Sequence, residues 1–571
     1  MSRSTRPLLP GRSLGGLALL TAATLVLGAC GSGTGSAGAG ASDDPSAATS
    51  SSAGSESPSA GTPVEGGDLV WALETEPLTL NAQTSGQNKA KVLLRNLFDS
   101  YLYKNADGTY DPWLAESYAY DADQTELTLV LRDGVTFSDG DQLDAAAVVA
   151  NLTHARDTEG YSSAAVFALR NVTGISASDE RTVVIELGEP DAFLLDYLAS
   201  LNGAPVSPTS LETAGNLAAG GLDVAGAGPF VLESYTPGQD VVLTSRADYD
   251  WAPEAADHSG PAYLDTVTFR FLGEAATRTG ALTAGQVDLI DGVQSVDVPL
   301  FEDSADFTYQ RVLNNGLPFG YYFNVSQPPL DDIRVRQAFI AGVDLDAVLQ
   351  GVHHGQVERA LAPVSSVSPF VDPTVADAYA TDVDAANALL DEAGWTERDA
   401  DGYRVKDGQR LTIIDYAAAP YLRDNRELLG QAISANLKDN VGIDFQFLPV
   451  DAGTASEKAD ANEYGIFDNS RGDADSGQPL IFLYGTDATL ARGKYNDAAL
   501  DELLARGAAT NDVAERTEIY HEAQQHIATN AYSLPIYVPQ DSVATLVGVH
   551  GVRIDEAGGV LGSAYDIWKE S

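Results

Sequence analysis

Two histidines and a glutamate fall close together in His521-Glu522-Ala523-Gln524-Gln525-His526, side chains that can bind zinc and move protons. A zinc-hydrolase helix places its histidines at i and i+4, about 40° apart around the axis. The i, i+5 spacing here sets them about 140° apart, so a regular helix does not aim both at one metal. The pair His353-His354 could touch nickel but has no cysteine or second cluster beside it. Asp399-Ala400-Asp401-Gly402 opens like a calcium loop and then lacks the remaining ligands. It sits between Trp395 and the Val405-Lys406-Asp407-Gly408 turn, which predicts a hairpin. The single cysteine, Cys30, forbids an intrachain disulfide and any Cys-based zinc cluster. No catalytic residue, metal site or cofactor is expected. A secreted metallopeptidase built on the 521–526 stretch stays as a remote alternative, eliminated if the protein is metal-free by elemental analysis and insensitive to chelators.

The elements that carry these residues begin with an export segment. Arg3, Arg6 and Arg12 stand without acidic neighbours before an apolar stretch, Leu14 to Leu27. That stretch is too short for a spanning helix of roughly 20 residues and suits a signal peptide. It ends Leu27-Gly28-Ala29-Cys30-Gly31, which resembles the bacterial lipobox, whose cysteine is lipidated after cleavage. Residues 1–29 are therefore expected to be a lipoprotein signal peptide and Cys30 the lipidation site. Stable tethering needs more than one acyl chain, and a diacylglyceryl cysteine supplies at least two. Residues 30–67 are rich in Gly, Ser and Ala, without apolar periodicity, and read as a lipid-anchored linker. At about 5–6 Å × √n its reach is roughly 30–35 Å. The expected location is the outer face of the cytoplasmic membrane.

The chain has 571 residues with 82 acidic and 33 basic side chains, a formal charge of −49. That balance excludes a phosphate-backbone binder, so no nucleic-acid partner is expected. The 44% hydrophobic content supports a large core. From Gly67 onward strands and helices alternate irregularly. Asp68–Ala72, Thr125–Arg132, Thr182–Leu187, Val241–Ser245 and Thr266–Phe271 read as strands. About Ala145 to Ala155, Val383–Ala393, Arg426–Leu437 and Ala498–Ala508 read as helices. The class is α/β with mixed sheets.

An ordered set of motifs runs through this body. From Leu97 the chain reads FDSYLYKNADGTYDPWLAESYAY, then Leu131-Arg132-Asp133-Gly134-Val135-Thr136-Phe137-Ser138-Asp139-Gly140 before a helix. Gly228-Pro229-Phe230, Tyr235-x-Pro237-Gly238, Tyr263-Leu264-Asp265, Asp332-x-Arg334-Val335-Arg336-Gln337-Ala338, Ala393-Gly394-Trp395 and Ser533-Leu534-Pro535-Ile536-Tyr537 follow. The set resembles the dipeptide/oligopeptide/nickel extracellular solute-binding proteins of ABC importers, family 5. The resemblance implies a two-lobed periplasmic-binding-protein type II clamshell with an extra inserted subdomain. Residues 68–98, 225–310 and 535–571 would form a discontinuous first lobe, 99–224 its inserted subdomain and 311–534 the second lobe.

The family's peptide-binding branch pairs a ligand ammonium with an Asp before a Gly- and Pro-containing turn. The matching stretch is Arg471-Gly472-Asp473-Ala474-Asp475-Ser476-Gly477-Gln478-Pro479, with Asp475 at the family's Asp. Gln478 stands where an acid is usual and Gly472 where an aromatic is common. A buried carboxylate is costly unless paired, so Asp475 in a closing cleft suits a cationic group. Asp473 and Arg471 are further candidates, the arginine for a ligand carboxylate. Trp71, Tyr322 and Asn324 stand where the family lines its cleft. The resemblance implies a lipid-anchored, monomeric, non-enzymatic importer component that captures a small solute or short peptide and delivers it to an ABC permease and ATPase complex. A nickel chelate, siderophore or oligosaccharide as ligand, or a sensory role, are its alternatives.

Overall fold

The computed structural model describes residues 61–570 apart from 489 and 556–559. The export segment, Cys30 and the linker up to residue 60 lie outside the described residues. Two large sheets organise the body. The first has seven strands in the order Phe307–Leu313, Gln540–Leu546, Leu289–Asp291, Asp68–Leu73, Thr266–Phe271, Asp240–Ser245, Phe230–Thr236. The second has six, ordered Glu358–Arg359, Ser533–Val538, Gly316–Phe323, Ile466–Gly472, Thr412–Ala418, Asp444–Val450. A separate four-stranded antiparallel sheet, Ala115–Tyr120, Glu126–Leu131, Thr182–Leu187 and Val172–Ala177, stands on the first-lobe side.

Local sequence explains each element. Asp68–Leu73 runs parallel to both neighbours at the middle of its sheet. Leu69, Trp71, Ala72 and Leu73 are buried to 1% exposure or less, as a nearly continuous apolar run requires of a strand covered on both faces. The segment ELTLVL instead alternates, and Leu127, Leu129 and Leu131 all point inward against Val183 and Ile185. Helix Ala145–Asp157 starts where the Asp144 side chain accepts from the Ala147 amide at 2.8 Å. Helix Arg426–Val441 runs four residues beyond the expected Leu437 and stops at Gly442 in left-handed geometry. Its Leu429, Ile433 and Leu437 form one buried stripe over the second sheet. The 399–402 loop is the turn of a small hairpin, Glu397–Arg398 against Arg404–Lys406.

The lobes share one pair of antiparallel strands. Phe307–Leu313 pairs with Gln540–Leu546 in the first sheet, and Gly316–Phe323 pairs with Ser533–Val538 in the second. The chain crosses between lobes at 314–315 and again at residue 539, where the Asn314 amide donates to the Pro539 carbonyl at 2.8 Å. The expected boundaries at 310/311 and 534/535 fall inside strands that run on for a few residues before crossing. Gly316 sits just past the first crossing at φ +104°, and a Cβ there would lie 2.2 Å from the Arg471 carbonyl oxygen. Only glycine fits both constraints. Gly316→Ala is expected to cost about 2–3 kcal/mol in denaturant titrations, because it pushes the 471–473 backbone away from the crossing. Stability equal to that of the parent protein would contradict this packing.

Candidate functional site

Between the lobes lies a cavity of about 1150 Å³. One wall is the loop after the central first-lobe strand, at Glu74, and the 83–91 segment, with Tyr103 and Trp113 beyond it. The opposite wall is strand Ile466–Gly472 with Tyr416 and Tyr421. That strand delivers the 471–475 turn directly to the cavity.

Asp475 is 2% exposed, and its charge is met within the protein. The Arg516 guanidinium, on helix Val513–Thr529, donates to both oxygens at 2.8 and 3.0 Å. The Gly477 amide donates to Oδ1 at 2.8 Å, and Lys104 Nζ stands 4.0 Å from Oδ2. Burial pushes the Asp475 carboxyl up, but Arg516 and Lys104 outweigh it and hold the group below its ordinary range. Lys104 also pairs with Asp196, which accepts from the Tyr110 hydroxyl at 2.6 Å. Lys104, Tyr110 and Asp196 belong to the first-lobe side, Asp475 and Arg516 to the second. Other contacts follow the same seam: Arg516 lies 5.5 Å over the Phe193 ring, Phe167 meets Phe482 at 4.9 Å, and the Ala192 amide donates to the Ala508 carbonyl at 2.8 Å.

The other expected residues divide into two groups. Arg471 and Asp473 line the cavity. Asp473 is held by its amide, which donates to the Asn315 carbonyl at 3.2 Å. Arg471 lies 4.4 Å over the Phe482 ring. Trp71, Tyr322 and Asn324 are not among the lining residues. Trp71 is in the first-lobe core against Phe269 at 5.5 Å, because its strand is covered on both faces. Tyr322 is buried against Tyr484 at 5.5 Å. Asn324 donates to Asn462 Oδ1 and the Tyr464 carbonyl, at 2.9 and 3.0 Å, and so fastens the loop after its strand. The two histidines of 521–526 have separate partners, the Val371 carbonyl at 3.0 Å and Asp497 at 2.6 Å.

Comparisons with known proteins identify the family and the fold. The model of bacterial extracellular solute-binding proteins, family 5 (middle), matches residues 109–491. The chain belongs to this family. Among its family 5 relatives, the glutathione-binding protein GsiB of Shigella flexneri serotype 5b (strain 8401) is 26% identical over 510 residues, covering 85% of this chain and 91% of that protein. NikA from Brucella suis, solved with Fe(III)-EDTA, superposes with a TM-score of 0.77 at 22% identity over 88% of this chain and all of that one. The oligopeptide-binding protein AppA from Bacillus subtilis, solved with a nonapeptide, gives 0.72 at 20% identity over 89% and 100%. The two-lobed type II fold is common to them.

Lys104, Asp196 and Arg516 were not singled out from sequence, although Lys104 lies inside one of the family 5 motifs. Their pairing spans the chain, and no local spacing announces it. Asp99, 1% exposed, also lines the cavity and accepts from the Tyr249 hydroxyl at 2.9 Å. Burial pushes its carboxyl up to about 7 against the pull of Tyr249 and Arg95. Asp196 is likewise pushed up, to about 6, by burial against the pull of Lys104.

Two outcomes follow from these charges. Arg516→Met leaves Asp475 buried without its counter-ion and is expected to cost about 3–5 kcal/mol, most of it recovered in the double variant with Asp475→Asn; a double-mutant cycle by urea unfolding measures this. In the unfolded chain Asp99 titrates near 4. The folded state therefore holds its proton between about pH 4 and pH 7. This stabilising contribution is complete below about pH 4 and is lost as pH rises through about 7. Asp99→Asn is expected to flatten the fall in stability between pH 5 and pH 8, read from urea midpoints at constant ionic strength. A slope identical to the parent's would reject the assignment.

Proposed function

We propose that the chain is the exported, lipid-anchored binding component of an ABC importer. It captures a small polar solute, most suitably a short peptide, by lobe closure and delivers it to a membrane permease powered by an ATPase. The observation that carries this reading is the cavity of about 1150 Å³ held between two lobes that share one strand pair. Its size lies just above the usual range of small-ligand sites, about 300–1,000 Å³, and suits a solute of several residues. Ligand contacts to both walls favour the closed state by their differential affinity. The glutathione and nonapeptide partners of relatives support a peptide. The cleft works by binding alone, without a catalytic residue or cofactor, and the protein acts as a monomer. Cys30 carries the lipid that anchors the chain at the outer face of the cytoplasmic membrane.

Native mass spectrometry of protein purified without denaturation is expected to show short-peptide masses released on unfolding. A metal chelate, siderophore or sugar in their place would contradict the peptide assignment. Cys30→Ser is expected to move the protein from the membrane fraction to the soluble one, and retention at the membrane would reject the anchor.

A further inference from the structure

We infer that the solute is an anion that presents a carboxylate to Arg471, and that no ligand ammonium is received at Asp475. This rests on the binding-component reading above and specifies its solute class.

The first support is that Asp475 is already paired within the protein. A carboxylate offers about four lone-pair sites. Those of Asp475 face two guanidinium donors of Arg516 and one backbone amide, with the Lys104 ammonium 4.0 Å away. A ligand ammonium brought here would meet two like charges in a site closed to water, where repulsion is strong. The chain's own cations occupy the place a cationic ligand would need.

Arg471 supplies the second support. It lines the cavity and its guanidinium carbon lies 4.4 Å from the centre of the Phe482 ring. Among the described residues its buried Nε has no hydrogen-bond acceptor. An unmet buried donor costs about 1–3 kcal/mol, and a planar fork held on an aromatic face is preorganised for a carboxylate. Asp473, two residues along, does not satisfy that nitrogen.

The third support is the cavity lining as a whole. Among the described residues, ten Lys and Arg side chains line it against seven Asp and Glu. The chain overall has 33 basic and 82 acidic residues. A protein this acidic that gathers its cations around one cavity is built to attract an anion there.

The test is a panel of small solutes, titrated calorimetrically into the full-length protein. The panel holds di- and tripeptides and non-peptide mono-, di- and tricarboxylates. Each acid is paired with its amide, and each free amine with its N-acetyl form. Amidation is expected to weaken binding at least tenfold, about 1.4 kcal/mol, and N-acetylation less than threefold. Arg471→Gln is expected to abolish the preference for acid over amide, while Arg471→Lys retains part of it; thermal unfolding checks that both variants are folded. Amides binding as well as acids, a tenfold loss on N-acetylation, an unaltered preference in Arg471→Gln, or no binding by any member would each overturn the inference. Binding confined to non-peptide carboxylates would uphold the anion site and refute the peptide assignment. Peptide amides that bind as well as their acids would do the reverse.

Discussion

A carboxylate buried where two lobes meet must be neutralised, and the organisation of this cleft follows from how that is done. Moving an ion out of water costs several kcal/mol even after relaxation, and only close, well-directed partners offset it. Asp475 has such partners in the fork of Arg516 and the Gly477 amide. Because Arg516 comes from a helix 41 residues along the chain, the pair fixes the turn at the end of strand Ile466–Gly472 to the helical layer behind it. The same turn carries Arg471 and Asp473 to the cavity. The ion pair is thus a positioning device: with the turn anchored from behind, the residues ahead of it can face a ligand without being free to collapse onto each other.

The hinge imposes the complementary constraint. Two antiparallel strands cross between lobes side by side, tied by the Asn314 to Pro539 hydrogen bond. The lobes also meet along a seam beside the 471–475 turn, whose Asp473 amide donates to the Asn315 carbonyl at the crossing. The residues found there are Lys104, Phe167, Ala192 and Phe193 from one side and Asp475, Phe482, Ala508 and Arg516 from the other. This seam mixes one charge contact with aromatic and backbone contacts. Few of these contacts are strong alone, as suits a clamshell that must reopen; ligand contacts to both walls then tip the balance.

Much of the scaffold was legible in the sequence. Strand Thr182–Leu187, strand Thr266–Phe271 and helix Ala498–Ala508 have the bounds that their periodicity predicts, because one face of each is buried and the pattern is local. The 471–475 turn could be placed at the cleft from its motif. The state of Asp475 could not, since it depends on Arg516 and Lys104, which are distant along the chain. Trp71, Tyr322 and Asn324 illustrate the opposite difficulty. Trp71 and Tyr322 lie on strands and Asn324 just past the end of one, yet a side chain's direction on a strand alternates with each residue, and covered strands have no outward face. It is the continuation of the first strand, at Glu74, that reaches the cavity.

The acidity of the chain and the basic lining of its cavity are compatible because the two act over different distances. At physiological ionic strength exposed charges are screened within about 8 Å, so the exterior contributes little to the potential inside a closed cleft. Where the lining is buried, as at Asp99 and Asp475, the effective dielectric falls and nearby charges count for more. Burial has a second effect in the same direction. It pushes the Asp99 and Asp196 carboxyls up to about 7 and about 6, so these two lining acids carry less negative charge near neutral pH than exposed carboxylates do. An acidic surface keeps the protein solvated, while among the described residues the cavity lining holds more basic than acidic side chains.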